Sequence, residues 1–225
     1  MINPIRHSMF PDPDLADEDG LLCIGGDLGV TTLLDAYYHG IFPWPQEALP
    51  ILWFCPARRG IIEFNKLHIP KRLKRFRNSW EGEFRINTSF SEVIDNCKSQ
   101  TRPGQNGTWI IPEMIQAYIK LHNAGYAHSV EAWENNELVG GVYGVFIGNV
   151  FSGESMFYKK TNRSKLCFWH LIEHLQKLGL EWMDLQMLTS ITKSFGGEYI
   201  KRGEFLKRLV SEHNKPEMAF NFSYL

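Results

Sequence analysis

The sequence predicts an α+β protein, because strand patterns fill the middle of the chain and a helix and a strand follow them. Residues 126–133 and 138–147 are rich in β-branched and aromatic residues, and a turn-forming run at 134–137 separates them, which is typical of a β-hairpin. A helix pattern at 164–178 then precedes a strand pattern at 180–187. This order indicates either an α+β fold or a mixed sheet with helices on its faces.

The elements predicted before residue 65 are short, because turn residues interrupt them. Gly40 is expected to end a first helix, and Pro43 and Pro45 exclude helix from the aromatic segment around Trp44. In chain order we expect a tight turn at 25–27, a helix from Thr31 or Thr32 to Tyr38, an extended segment at 42–45, and strands at 51–54 and 60–64.

The later part of the chain has clearer helix boundaries. Pro112 suits the first turn of a helix that runs to about Asn123 and that Gly125 ends. The hairpin at 126–147 follows, and Gly148 and Asn149 turn the chain into a strand that contains residues 150–152. We expect Ser164 to cap the helix that ends before Gly179, and a last helix at 203–213.

Composition excludes several classes of protein. No apolar run in the 225 residues approaches the roughly 20 that a membrane helix needs, and the first seven residues lack the apolar core of a signal peptide. We therefore expect a cytoplasmic protein that does not associate with membranes. Four cysteines without paired spacing fit free thiols in a reducing compartment: Cys23, Cys55, Cys97 and Cys167.

Charge is distributed unevenly along a chain whose net charge is only −1. Acidic residues collect between 12 and 19, and basic residues collect between 66 and 77. Bulk electrostatics therefore does not indicate a nucleic-acid-binding protein, but the local basic patch could hold a phosphate backbone.

Three polar residues lie in apolar, glycine-containing segments of the sequence. Glu154 lies between Phe151 and Met156, and Asp184 and Gln186 alternate along a predicted strand, so that both point to one side of the sheet. A buried carboxylate needs a cation or a hydrogen-bond donor, which makes a functional partner a reasonable expectation. The alternative is that all three are ordinary solvated polar residues.

Two motifs in the sequence are interpreted as structural. Residues 170–174 read H-x-x-E-H, a zinc-peptidase pattern, but the helix they occupy has its apolar residues on one face and His170, Glu173 and His174 on the other. We expect that polar face to be in water, and no third ligand is apparent, so no metal is predicted. The glycines at 140–144 lie inside a strand and indicate a bulge or a close approach of a ligand to the backbone.

Seven segments, in order from about Phe10 to about Arg208, resemble the leucyl/phenylalanyl-tRNA–protein transferase family. The resemblance implies a small N-terminal α/β domain, residues 1–62, joined to a GNAT-like acyltransferase domain, residues 63–225, with a mixed, mostly antiparallel sheet. The segments are GLLCIGGDL at 20–28, GIFPW at 40–44, GTWI at 107–110, AHSVE at 127–131, ELVGGVYGV at 137–145, GESMF at 153–157 and DLQ at 184–186.

The family resemblance implies an enzyme that moves Leu, Phe or, less readily, Met from aminoacyl-tRNA to the N-terminal Arg or Lys of a protein. The product would enter the bacterial N-degron pathway. Because aminolysis of an ester is downhill, no cofactor, nucleotide or metal is expected. The family also suggests a monomer.

The resemblance assigns the catalytic or acceptor-binding positions to Glu154, Asp184 and Gln186. The amide oxygen of Gln186 can accept a hydrogen bond from the attacking amine, and Asp184 can orient that amide. An amide alone is too weak a base, so Asp184, a water or the terminal ribose hydroxyl must take part in the proton transfer. Glu154 suits the positive charge of the acceptor.

The family positions also imply an apolar donor cavity and contacts to the tRNA. A cavity of limited width would accept Leu, Phe or Met and reject β-branched side chains. The cavity would be lined by Val142, Phe151, Met156, Phe168, Leu171 and Met183, each of which could otherwise be plain core.

Trp44 and Trp109 would stack on the terminal adenosine, although Trp44 could instead seal the domain junction. Lys71, Lys74 and Arg75 would contact the acceptor arm, although position 78 is Asn and a solvated helix face is the usual meaning of such a run.

The sequence departs from the family pattern after Gln186. Ile191 stands where relatives commonly carry His, Gly197 replaces the usual Ala after Gly196, and Lys201 replaces a common Pro. These changes leave the three catalytic candidates intact and bear on acceptor preference.

Three other classes of protein compete with this interpretation. A CoA-dependent GNAT N-acetyltransferase would need a glycine-containing pyrophosphate loop, and no glycine lies between Glu154 and Ser164. Peptidoglycan cross-bridge enzymes are longer and lack the segments around Trp44 and Glu154. A non-catalytic module that binds aminoacyl-tRNA would tolerate Asp184→Ala and Gln186→Ala, whereas a transferase would not.

Overall fold

The chain forms two β-sheets, one small and one large, that follow each other in sequence. The computed structural model describes residues 8–44, 49–100 and 110–220. The small sheet is antiparallel and has the spatial order β1–β3–β2. Its strands are β1 (Leu21–Ile24), β2 (Phe42–Pro43) and β3 (Leu52–Phe54).

The large sheet is mixed and mostly antiparallel, which confirms the predicted α+β class. Its seven strands, in spatial order, are β10 (Glu198–Lys201), β4 (Arg58–Glu63), β9 (Trp182–Gln186), β8 (Val150–Tyr158), β7 (Glu137–Ile147), β6 (Ala127–Glu134) and β5 (Glu83–Ile86). Among the described strands, only β8 and β9 pair in parallel, where Ser152 lies opposite Asp184. All three catalytic candidates therefore lie on this parallel pair, Glu154 on β8 and Asp184 and Gln186 on β9.

Helices cover both faces of the large sheet. Val142 and Tyr143, neighbours in β7, belong to different hydrophobic clusters, as expected for successive strand residues that point to opposite faces. No helix in the described ranges is both long and apolar enough to cross a membrane. The helices are α1 (Val30–Tyr38), α2 (Lys71–Asn78), α3 (Phe90–Ser99), α4 (Pro112–Asn123), α5 (Arg163–Lys177), α6 (Ser190–Ser194) and α7 (Arg202–His213).

The N-terminal part packs against the large sheet through a shared core. Leu33 and Ile41 lie in the same hydrophobic cluster as Met114 of α4 and Tyr143 of β7. The expected boundary between residues 62 and 63 falls inside β4, which pairs with β9 and β10 in the large sheet. The change from the small sheet to the large one therefore occurs between the end of β3 and the start of β4.

Most predicted helix and turn boundaries are confirmed, with one correction. Helix α4 covers Pro112–Asn123 as expected, and Asn135 and Asn136 both have positive φ in the hairpin turn. The prediction that Ser164 caps α5 is wrong. The helix begins at Arg163 after Asn162, whose φ is 72°, so Ser164 is buried inside the first turn.

A β-bulge places Glu154 out of register with strand β7. Tyr143 pairs with Ser155 and Gly144 pairs with Gly153, so Glu154 is the extra residue between them. A bulged residue does not oppose a partner, and its side chain can be redirected. The register shift thus falls within the glycine run, at Gly144, while the extra residue is on the opposite strand β8.

Replacing Gly144 by Ala should destabilise the protein by about 1–3 kcal/mol, because the added Cβ would lie 2.3 Å from the carbonyl oxygen of Ser152. Denaturant unfolding should show a lower midpoint. Gly203→Ala is the matched control, because nothing lies within 4 Å of its added Cβ. An unchanged midpoint for Gly144→Ala would contradict the tight approach of β7 to β8.

Candidate active site

A buried ion pair joins three strands at the centre of the large sheet. Arg59 of β4 donates two hydrogen bonds to the carboxylate of Asp184, from Nε at 2.8 Å and from Nη2 at 2.7 Å. Ser152 of β8 donates a third at 3.0 Å. Asp184 and Arg59 are 0% and 1% exposed. The carboxylate charge is thus matched by a guanidinium in the protein interior.

The guanidinium of Arg59 is held firmly in place. It lies over the rings of Phe42 and Phe205, at 4.7 Å and 4.5 Å from their centroids, and Nη1 donates to the carbonyl of Gly40 at 3.0 Å. Burial tends to lower the pKa of Arg59, but the attraction of Asp184 outweighs this and raises it. The ion pair therefore remains charged, and the contact of Arg59 with Phe42 of β2 links the large sheet to the small one.

Gln186 ends strand β9 in an unusual backbone conformation. Its φ is 57°, in the left-handed region that residues other than glycine rarely adopt. Its backbone N–H donates to Oδ1 of Asp184 at 2.8 Å, while its side-chain Nε2 donates to Oε1 of Glu154 at 2.6 Å. Asp184 thus accepts a hydrogen bond from the backbone of Gln186, and among the described residues no hydrogen bond joins it to the side-chain amide, so the orientation of that amide by Asp184 stays a prediction.

Glu154 receives hydrogen bonds from two helices that are distant in sequence. The hydroxyl of Tyr37 in α1 donates to its Oε1 at 2.6 Å, and the hydroxyl of Tyr118 in α4 donates to its Oε2 at 3.2 Å. Burial raises the pKa of Glu154 to about 7, because the hydrogen bonds from Tyr37, Gln186 and Tyr118 offset only part of the desolvation. Glu154 can therefore change protonation near neutral pH.

A small cavity of about 190 Å³ lies beside these polar groups. Its wall contains Glu154 and Gln186 next to apolar side chains, so a ligand inside would contact both. The lining residues are Trp44, Val142, Gly153, Glu154, Ser155, Met156, Phe168, Met183, Leu185, Gln186, Met187, Thr189 and Thr192.

Most of the predicted donor-cavity residues lie along this cavity, but two do not. Val142, Met156, Phe168 and Met183 line it, as does Trp44. Phe151 and Leu171 do not line it and are buried in the neighbouring hydrophobic cluster, so their contact with a donor stays a prediction. Trp109 lies outside the described residues.

Two larger cavities, of about 430 and 460 Å³, lie elsewhere on the molecule. Tyr38 and His213 line the first, and Glu63 and Arg208 line the second. Neither includes any of the three catalytic candidates, so size alone does not identify the active site. The smaller cavity is the better candidate, because only its wall joins apolar side chains to Glu154 and Gln186.

The histidines of the H-x-x-E-H motif lie against aromatic rings in this fold. His174 is buried and its ring lies 5.0 Å from that of Phe220, while His170 stacks on Phe84 at 4.2 Å. The expectation that this helix face is in water is therefore wrong for the histidines. Burial lowers the pKa of His170 to about 4. Within residues 8–44, 49–100 and 110–220, no group of three or more potential ligands is arranged to hold a metal.

Helix α2 presents the predicted basic surface. Lys71, Lys74 and Arg75 are exposed, and none of the three forms an ion pair with another described residue. Arg77 differs, because it forms two hydrogen bonds of 2.7 Å with Glu173 of α5. The three exposed cations are thus available to a negatively charged partner, whereas Arg77 fixes α2 to α5.

Sequence reasoning missed four residues of the site. Tyr37 and Tyr118 have the spacing of ordinary core residues on their helices, Ser152 is a small residue in a strand, and Arg59 follows an exposed arginine. The alternation of side chains along β4 was the available signal for Arg59. Successive side chains in a strand point to opposite faces of the sheet, so Arg59 points away from the face of the exposed Arg58.

Comparison with known proteins identifies the family of the chain. The leucyl/phenylalanyl-tRNA protein transferase family model matches residues 61–210, and the model of that family's N-terminal domain matches residues 26–57. The chain is 45% identical over 215 residues to the leucyl/phenylalanyl-tRNA–protein transferase of Anaeromyxobacter sp. (strain Fw109-5), covering 95% of this chain and 91% of that one. It is 44% identical over 222 residues to that of Maridesulfovibrio salexigens, covering 98% and 92%.

One solved structure, a functionally unknown conserved protein from Staphylococcus epidermidis, is similar with a TM-score of 0.44 and 9% identity. The match covers 80% of this chain and 68% of that one. This similarity is too weak to bear on fold or function. The sequence matches define the chain as an aminoacyltransferase. It belongs to the leucyl/phenylalanyl-tRNA–protein transferase family.

Proposed function

We propose that this chain transfers Leu, Phe and, less readily, Met from aminoacyl-tRNA to the N-terminal Arg or Lys of acceptor proteins. The observation that carries the proposal is the apolar cavity whose wall contains Glu154 and Gln186. An apolar donor side chain can enter such a cavity while its ester carbonyl stays beside groups that hold an amine. The modified proteins would be N-degron substrates, and the family resemblance favours a cytoplasmic monomer.

The three polar residues have separate roles in the proposed reaction. Gln186 donates its Nε2 proton to Glu154 and accepts no hydrogen bond at Oε1 from any described residue, so that oxygen can accept one from the attacking amine. Glu154 attracts the positive charge of the acceptor. Asp184 holds the backbone of Gln186 and the side chain of Arg59, which fixes the end of β9.

Mass spectrometry of an Arg-Xaa reporter peptide tests the function. The peptide is incubated with the protein and Phe-tRNA or Leu-tRNA, without ATP or CoA. A mass gain of one Phe or Leu residue at the N-terminus is expected for Arg and Lys peptides but not for Asp or Glu peptides. Intact peptide together with intact, protein-bound aminoacyl-tRNA would favour a binding module instead.

Donor preference should respond to the width of the cavity. Met156→Phe should reduce transfer of Phe relative to Leu by about tenfold or more, because a bulky ring replaces a flexible side chain on the cavity wall. Competition between Phe-tRNA and Leu-tRNA for one reporter measures the ratio. Met218→Phe, at the separate larger cavity, is the matched control and should leave the ratio unchanged.

The exposed cations of α2 are proposed to contact the phosphates of the acceptor arm, with Trp44 and Trp109 stacking on the terminal adenosine. Lys74→Ala should weaken tRNA binding at low salt and lower the salt-dependence slope by about 0.7–0.9. Fluorescence titration at several salt concentrations measures this slope. Lys207→Ala, an exposed lysine on α7, is the control. Equal salt-dependence slopes for the two variants would contradict a contact between Lys74 of α2 and the tRNA.

A further inference from the structure

Four oxygen atoms, two of Glu154 and one each of Tyr37 and Tyr118, make three contacts, more than the two tyrosine hydroxyl hydrogens can serve. Tyr37 lies 2.6 Å from Oε1 of Glu154, Tyr118 lies 3.2 Å from Oε2, and the two hydroxyl groups contact each other directly. Two hydroxyl hydrogens can serve only two of these three contacts, since each hydroxyl has one hydrogen to donate. A proton on Oε2, donated to the hydroxyl oxygen of Tyr118, completes the set. The cluster is therefore built to hold one additional proton.

The charges around Glu154 favour the same conclusion. No Lys or Arg in the described part of the chain pairs with Glu154, and the nearby Arg59 is paired with Asp184, whose negative charge itself opposes ionisation of Glu154. The other groups that face the cluster are Gln186 from β9 and Tyr143 from β7, whose ring lies 5.8 Å from that of Tyr118. The carboxylate form is thus stabilised only by hydrogen bonds, and its pKa is raised to about 7.

We infer that Glu154 is the group that takes the proton from the attacking α-ammonium, and that Tyr37 and Tyr118 are positioning residues for it. This inference rests on the proposed function and adds the proton acceptor that the sequence left open. The alternatives fit less well. Asp184 already accepts hydrogen bonds from Arg59, Ser152 and the backbone of Gln186, and the Gln186 amide is a weak base.

The proposed step balances as follows. The α-ammonium gives one proton to the carboxylate of Glu154, and the free amine attacks the ester carbonyl carbon, forming the C–N bond. The tetrahedral intermediate then breaks the C–O bond to the ribose, and the second proton on nitrogen passes to the leaving ribose oxygen. Glu154 finally releases its proton to water. The net products are the amide, the free tRNA hydroxyl and one proton.

Three variants test this step. In Glu154→Gln, the amide oxygen can still accept from Tyr37 and Gln186, and the amide nitrogen can donate to Tyr118, so the variant imitates the protonated carboxyl group and cannot accept a proton. Tyr37→Phe removes a donor that stabilises the carboxylate, so it should make Glu154 harder to ionise. Tyr38→Phe is the matched control, because Tyr38 is the next tyrosine in the chain and lines a different cavity.

The measurement is the single-turnover transfer rate, with saturating Arg peptide and Phe-tRNA, from mildly acidic to mildly alkaline pH. Glu154→Gln should lose about 10²–10⁴-fold. Tyr37→Phe should move the acid limb of the profile upward by about one pH unit. The α-amine of the peptide titrates identically in every variant, so only the shift between variants is interpreted. A uniform loss without a shift, or a near-normal rate in Glu154→Gln, would overturn the inference.

A second readout needs no activity. The carboxyl group binds its proton more tightly in the folded state, so the wild-type protein should lose stability relative to Glu154→Gln as pH rises from about 4.5 to about 7. The ratio of their unfolding equilibrium constants should change by up to about tenfold per pH unit in that interval. A constant ratio would mean that Glu154 holds no proton there. Absence of transfer by the wild-type protein would instead overturn the proposed function, and the inference with it.

Discussion

Replacing Asp184 by Ala should lower the free energy of unfolding by about 3–5 kcal/mol, because it leaves the charge of Arg59 buried without a partner. The same change removes the acceptor for the backbone of Gln186, so transfer activity should fall as well. Denaturant unfolding at neutral pH measures the first effect, and reporter-peptide transfer measures the second.

The double variant Arg59→Met with Asp184→Leu distinguishes the stability cost of an unpaired buried charge from the cost of lost packing. Removal of both charges leaves no unpaired ion, so the double variant should regain most of the stability that Asp184→Ala loses. It should not regain transfer activity, because the backbone N–H of Gln186 still lacks the carboxylate that accepts its hydrogen bond. A loss of less than about 1 kcal/mol for Asp184→Ala would mean that the ion pair contributes little to folding.

Replacing Gln186 by Ala should reduce the transfer rate constant by about 10²-fold, because the attacking amine loses the amide oxygen that orients it. The carboxylate of Glu154 also loses a hydrogen bond of 2.6 Å, which makes its ionisation harder. Single-turnover kinetics with Phe-tRNA and an Arg peptide measures the effect, which should fall on the rate constant more than on the peptide KM.

Gln176→Ala is the control for this variant, because Gln176 lines a different cavity that contains none of the catalytic candidates. Its rate should equal that of the wild-type protein. If Gln186→Ala also transferred at the wild-type rate, the amine could not be bound at this end of β9.

The sequence predicted the elements whose boundaries depend on local chemistry. Pro112 and Gly125 bound α4 as expected, and the Asn135–Asn136 turn joins β6 to β7. These residues restrict the backbone on their own, so no knowledge of tertiary structure was needed. The cap of α5 was misplaced because Asn162, in a left-handed conformation, precedes the helix in place of Ser164.

The candidate site was only partly predictable, because long-range contacts create most of it. Tyr37 and Tyr118 are separated by 81 residues and meet only when α1 and α4 pack together. The pattern did not distinguish residues facing the cavity from those buried behind it, as Phe151 shows. The left-handed Gln186 is the place where a local rule fails, and such strain is common at functional sites.

The most direct test is a crystal structure of the protein with a stable amide analogue of phenylalanyl-adenosine. We expect the phenyl ring to lie in the cavity between Val142, Met156 and Phe168, with the carbonyl group beside Gln186 and the ribose toward Trp44. Binding of the ring in the larger cavity beside Tyr38 and His213, with the smaller cavity empty, would contradict the assignment of the active site.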